Sequence, residues 1–219
     1  MSELYHHGIK GQKWGAKNGP PYPLNSKQLN SYNRTHAEGC NPSNYKNNCK
    51  DVAFIIADNI ANDSYHKAGP KSLSGNIYDY ATKRAGFSLG RMERDYREVK
   101  VNSSDAALDV LKTNILKRYG EGAVGVVGFK YDDKYLRNGS TETNHAINWV
   151  VQDGEVIFFD GQNNTADTDL AKRRVRCMDI NEKMELLCYD RHNEIDEYIQ
   201  HGLDFISKYS NSRILHILK

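Results

Sequence analysis

The stretch Asn144 to Gln162, NHAINWVVQDGEVIFFDGQ, restricts the fold more than any other part of the chain. His145, Ile147, Trp149 and Val151 alternate with Ala146, Asn148 and Val150, the period of a strand whose two faces meet different surroundings. Asp153-Gly154 then offers the two positive-φ residues that a type I′ turn needs, so the segment reads as a hairpin. Counting outward from the turn sets Gln152 against Glu155, Val151 against Val156, Trp149 against Phe158, Ile147 against Asp160 and His145 against Gln162. Opposed residues share a sheet face, so His145, Asp160 and Gln162 are expected to point the same way. An imidazole, a carboxylate and a carboxamide then gather at the open end of one hairpin.

Such a cluster lacks a nucleophile, and Cys49 is the candidate. Asn41 to Asp63 reads as the first strong helix, with Asn47 or Asn48 suited to cap it. Cys49, Val52, Ala53, Ile56 and Ile60 fall on one helical stripe. Cys49 is thereby expected in the first turn, where the helix dipole favours an anion and a nearby imidazolium would lower the thiol pKa further. The plainer reading of Cys49 is the small apolar residue that begins the stripe.

The rest of the chain reads as one α+β domain over residues 41–219, preceded by an extended, flexible arm over 1–40 that is rich in glycine and proline. A short helix is expected over 77–85, broken by Gly86 and Gly90, and RMERDYREVK reads as a solvated segment of mixed charge. A helix over about 105–119, capped by Ser103 or Ser104, carries Leu108, Leu111, Ile115 and Leu116. Ala123 to Tyr131 reads as a central strand, and Asp132 to Thr143 as a polar loop overhanging the site. KRRVRCMDI is expected to be a strand with one charged face, its Lys172, Arg173, Arg174 and Arg176 protecting a sheet edge rather than binding phosphate. Glu185 to Tyr189 reads as a further strand, Arg191 to Tyr209 as an amphipathic helix and RILHILK as a returning strand.

Composition narrows the function classes. The chain has 219 residues, 38% apolar and 26% charged, ordinary for a soluble domain with a core. A net charge of +2 makes no case for nucleic acid, and no apolar run approaches the roughly 20 residues of a membrane span. No basic-then-apolar leader opens the sequence, so Sec-type export is not expected and the protein reads as cytoplasmic or virion-associated. Cys40, Cys49, Cys177 and Cys188 form no C-x-x-C pair, which disfavours a disulfide framework or a zinc site. His6 and His7 have no further ligand at useful spacing, and His66, His145 and His192 lack the spacing of a metal-dependent nuclease. No metal or other cofactor is expected.

The motif NNC at 47–49 followed by NHAINWVVQDGEVIFFDGQ resembles the papain-fold toxin families, which include glutamine deamidases of bacterial polymorphic toxins. Those show an N-C helix start, a G-H-a-x-N strand, a D-G turn and a strand ending in D-x-Q. Cys49, His145, Asp160 and Gln162 match; Asn144 stands where the family often has Gly, and Gly161 where it often has Pro. The resemblance covers about residues 40 to 165. It implies a papain-like α+β core, a Cys-bearing helix packed on an antiparallel sheet that carries the His/Asp hairpin. It also implies a thiolate nucleophile at Cys49, a proton carrier at His145 and an orienting carboxylate at Asp160. The Cys49 N–H would serve the oxyanion, with a second donor among Asn44, Asn47 and Asn48, and with Gln162 beside them.

The implied activity is hydrolysis of an amide bond in a protein substrate, by glutamine deamidation or by proteolysis. Separately, LYHHGIKGQKWG near the N-terminus resembles a tag found near the ends of many phage-encoded proteins of Gram-positive bacteria. The tag is compatible with an effector or toxin from a phage or mobile element. It also supports an alternative reading, an inactive papain-like domain serving as a structural or cargo protein attached to the phage particle.

Overall fold

The computed structural model describes residues 29–72, 75–136 and 143–189. Within them the chain is α+β, with a five-stranded sheet in the order β1-β5-β2-β3-β4 and every neighbouring pair antiparallel. The strands are β1 (Tyr96–Val99), β2 (Val124–Lys130), β3 (Asn144–Gln152), β4 (Glu155–Phe159) and β5 (Met184–Tyr189). Six helices accompany them: α1 (Ser31–Ala37), α2 (Cys49–Asn62), α3 (Ile77–Lys83), α4 (Leu89–Asp95), α5 (Ala107–Leu116) and α6 (Thr168–Val175).

The hairpin forms because its turn chemistry and its alternation agree. Asp153 and Gly154 adopt φ values of +54° and +74°, and both their N–H groups donate to the Glu121 carboxylate at 2.9 and 3.1 Å. The ladder runs from Gln152–Glu155 to Asn148–Phe159, in the register counted from the turn. Each face of the sheet then buries its own set. Val126, Ala146, Val150, Ile157 and Phe159 pack with Val52, Ala53 and Ile56 of α2. Val127, Ile147, Trp149, Val151 and Phe158 pack with Leu111 and Ile115 of α5 and with Ala171 and Val175 of α6. Burying a side chain of this size contributes about 1.5–3 kcal/mol, so a shift of one residue in β3 would reverse every such contact at once.

Elsewhere the structure departs from the local pattern. The first part of the expected KRRVRCMDI strand, residues 172–175, is instead the end of helix α6: Asp167 caps it by accepting from Leu170 N at 2.8 Å, and Leu170, Ala171 and Val175 are buried at helical spacing. The basic run Lys172, Arg173 and Arg174 lies in the last turn, where the dipole favours cations. RMERDYREVK is no loose segment either, since it divides between α4 and the edge strand β1. α5 begins at Ala107 rather than at 105; no side chain caps it, and Ser103 Oγ instead accepts from Asp105 N at 3.2 Å.

The last part of the expected extended arm is the helix α1. Its N-cap Asn30 accepts from Asn33 N, and Asn30 N and Asn33 Nδ2 both donate to Gln152 Oε1 at 3.0 Å, which ties the helix to the end of β3. The phage-type tag, the 191–209 helix, the RILHILK strand and residues 137–142 of the overhanging loop lie outside the described residues. Among the described residues, no helix is long and apolar enough to cross a membrane.

Candidate active site

Helix α2 presents Cys49 at its first position because the preceding loop is tied to the residues that follow β4. Asn41 Nδ2 donates to the carbonyls of Tyr45 and Gln162 at 2.9 and 2.6 Å, and its Oδ1 accepts from Tyr45 N and Asn48 Nδ2. Asn48 is the N-cap residue by position, yet its side chain does not cap the helix. Its amide donates to Asn41 Oδ1 and Gly69 O, and its own Oδ1 accepts from Gln162 Nε2 at 2.9 Å. The orphan amides of the first turn are met differently: Asp51 N donates to Ser72 Oγ at 3.0 Å. Cys49 itself is half-buried, with its thiol 4.0 Å from the Asn144 carbonyl at the start of β3.

One residue further along β3, His145 meets both partners the site needs. Its Nε2 donates to Asp160 Oδ2 at 2.7 Å, and the Cys49 sulfur is near enough to act on the charge of the ring. Burial disfavours the charged ring, but the Asp160 carboxylate, the hydrogen bond to it and the Cys49 sulfur outweigh that effect and raise the His145 pKa above the ordinary histidine range. Burial likewise pushes the Asp160 pKa up; the His145 charge and hydrogen bond, the Gln162 N–H on Oδ1 and Arg174 more than reverse it, so the carboxyl stays ionised below its usual range. The imidazolium form is thereby favoured beside the sulfur.

The expected pairings of Ile147 with Asp160 and His145 with Gln162 do not occur as ladder pairs. After Phe159 the chain leaves β3, and Asp160 instead bridges Asp167 through both backbone hydrogen bonds, at 3.0 and 3.2 Å. Asp160 still turns its side chain to His145, whereas Gln162 turns toward α2. Gly161 allows that crossing: a Cβ there would stand 2.1 Å from Ile56 Cδ1 of α2.

The structure brings Cys49, His145 and Asp160 together. The amides proposed for the oxyanion are arranged otherwise. Both N–H groups of Asn48 are engaged internally, and Gln162 Nε2 donates to Tyr45 O and Asn48 Oδ1. These two side chains brace the loop that presents Cys49 and have no N–H left for a substrate. Asn47 is exposed, its carbonyl accepting from Ser72 N, and Asn44 is an exposed positive-φ loop residue.

Residues not singled out in the sequence complete the surroundings of His145. The Tyr131 ring stacks on the imidazole at 5.8 Å and 21°, and Phe129 meets it edge-on at 5.8 Å. Arg174, read above only as part of a solvated basic run, sets its Nε 3.9 Å from Asp160 Oδ2. Its spacing from Leu170 and Ala171 on a helix was the signal available, and it was hidden by reading the segment as a strand. His66 lies on the surface 4.0 Å from Asp58, and among the described residues no three His, Cys, Asp or Glu side chains converge as a metal-binding group.

A cleft of about 510 Å³ opens from His145 and Asn144 across the ends of β2, β5 and β1. Gly128 lies in it, and Lys50, Lys100, Lys130, Lys183, Glu98 and Glu185 supply its charge.

No protein-family model matches the chain, and no curated protein does. Among solved structures the chain is similar to the Salmonella effector SpvD, in its G161 variant, with 18% sequence identity and a TM-score of 0.46 over 71% of this chain and 76% of that one.

Proposed function

We propose that the protein is a cysteine-dependent amide hydrolase acting on a protein substrate, with Cys49 as nucleophile, His145 as proton carrier and Asp160 as its orienting partner. The observation that supports this most is the convergence, at the first turn of α2, of the Cys49 sulfur with the His145 ring, which is itself hydrogen-bonded to Asp160 Oδ2 at 2.7 Å. The Cys49 sulfur attacks the substrate carbonyl carbon and its electron pair forms the C–S bond, while the carbonyl electrons move onto oxygen. The Cys49 N–H, in a first turn whose amides have no intrahelical acceptor, is placed to donate to that oxygen. Collapse expels the amide nitrogen, which takes the proton from His145 and leaves as ammonia or an amine. Water then attacks the thioester, His145 accepts its proton, and the acid is released with the thiolate restored.

Deamidation and proteolysis share every one of these steps and differ only in what is attached to the leaving nitrogen. The toxin-family motif and the tag-like N-terminal stretch support an effector encoded by a phage or mobile element. The test is a bacterial lysate incubated with the protein or with its Cys49→Ala variant, followed by mass spectrometry of peptides. Glutamine-to-glutamate conversion, or new termini, confined to the unmodified protein is the expected result. Identical peptide sets from both proteins would leave the inert-domain reading in its place.

A further inference from the structure

Lys50 follows the nucleophile on α2 and lines the cleft beside His145, although it is only 9% exposed. Its Nζ donates to the Gly75 carbonyl, and among the described residues no carboxylate lies within ion-pair distance of it. A buried ammonium in this state is unusual, because a cation withdrawn from water is normally paired. The other charges of the cleft are held elsewhere. Lys130 pairs with Glu182 at 3.3 Å, Lys183 pairs with Glu98, and Lys100 donates to the Asn181 carbonyl at 2.6 Å. Glu185 accepts from Ile77 N at 3.0 Å, Tyr78 N at 3.4 Å and the Tyr96 hydroxyl at 2.9 Å.

We infer that Lys50 is a specificity-determining residue whose ammonium receives a carboxylate of the substrate, close to the amide that Cys49 attacks. This rests on the hydrolase reading above and narrows it to acyl groups carrying a nearby negative charge. Burial lowers the Lys50 pKa against the charges of Cys49, Glu185 and Asp79. An arriving carboxylate would therefore supply the close counter-charge that the fold omits.

The test compares alkylation of Cys49 by iodoacetate and by iodoacetamide, in each case with the sulfur displacing iodide. Any change in the sulfur's own reactivity affects both reagents, so their rate ratio isolates recognition of the carboxylate. Lys50→Met is expected to lower the iodoacetate-to-iodoacetamide ratio by about tenfold, with Lys50→Arg keeping it near the unmodified value. An unchanged ratio in Lys50→Met, with Cys49 still selectively alkylated by iodoacetamide, overturns the role of Lys50 and leaves the hydrolase reading standing.

A second measurement depends neither on the thiol nor on a variant that folds: NMR shifts of the Lys50 side chain in the unmodified protein during titration with succinate or succinamide. A saturable shift with succinate alone supports the inference, and no shift, or equal shifts with both, overturns it. N-acetylglutamic acid α-amide and N-acetylalanine, titrated in the same way, distinguish a side-chain carboxylate from a chain-terminal one. Loss of selective Cys49 alkylation by iodoacetamide in the unmodified protein would sink the hydrolase reading itself, while the titrations would still report on Lys50.

Discussion

The Gln162 side-chain amide donates to Asn48 Oδ1 at 2.9 Å, which fastens the residue before the nucleophile to the loop that follows β4. Its second N–H reaches the Tyr45 carbonyl at 2.7 Å, so one buried side chain holds both ends of the segment that leads into Cys49. Replacing it strands buried acceptors. Gln162→Ala is expected to lower the stability to urea by about 1–3 kcal/mol, the cost of leaving such groups unmet. A cost within the error of the unfolding curve would mean that the brace is illusory.

The four cysteines should separate by reactivity. Cys40 is buried and its pKa is pushed up to about 11 by that burial, against a hydrogen bond from Asn59, while Cys188 is buried in β5 and donates to the Val124 carbonyl at 3.8 Å. Cys177 is half-buried like Cys49 but donates to the Arg173 carbonyl at 3.4 Å. Near neutral pH, iodoacetamide is expected to label Cys49 first, with Cys177 as the internal comparison, and His145→Ala should slow labelling of Cys49 alone. Peptide mapping after brief exposure reads both effects. Equal labelling of Cys49 and Cys177 would remove the case for an activated sulfur.

Asp160 controls the charge of His145, and the sign can be worked through. In the native protein the His145 pKa is raised to about 10, with burial opposing the shift and Asp160 driving it. Asp160→Asn removes the larger driving charge and leaves the burial opposed only by the Cys49 sulfur, so the ring should then titrate well below its native value. NMR of the ring carbons across pH measures this directly. The pair also contributes to stability. The part due to His145 is complete below the ordinary histidine pKa and is lost as pH rises toward about 10; the part due to Asp160 is present above the ordinary aspartate pKa and is lost as pH falls through its depressed value. The stability gap between the unmodified protein and Asp160→Asn should therefore be widest between those limits and narrow at both extremes. A gap that is constant with pH would contradict the assignment.

Tyr131 supports the imidazole with its ring rather than with its hydroxyl. Its stacking on His145 at 5.8 Å survives in Tyr131→Phe and is lost in Tyr131→Ala. Such an aromatic contact is worth about 0.5–1.5 kcal/mol, so the alanine variant should slow Cys49 alkylation by roughly two- to tenfold while the phenylalanine variant stays near the original rate. If removing the hydroxyl alone has the larger effect, the stack is not what supports the ring.

Local chemistry in the sequence determined the parts whose cause lies within a few residues. The Asp153-Gly154 turn follows from two positive-φ positions, and the β3–β4 register follows from counting outward. The stripe from Val52 to Ile60 follows from helical spacing, and it places Cys49 at the start of α2. Tertiary structure decided everything that depends on a partner far away in the chain. Residues 168–175 are helical because Asp167 is set by its bridge to Asp160, and Tyr96–Val99 is a strand because β5 lies alongside it. Asn48 and Gln162, legible as amides near the site, became braces because each found the other across a loop closure that no short-range pattern specifies. Lys50 and Arg174 acquired their places beside the sulfur and the carboxylate in the same way, since a charged side chain on a helix reads alike whether it faces water or a cleft until the packing around it is known.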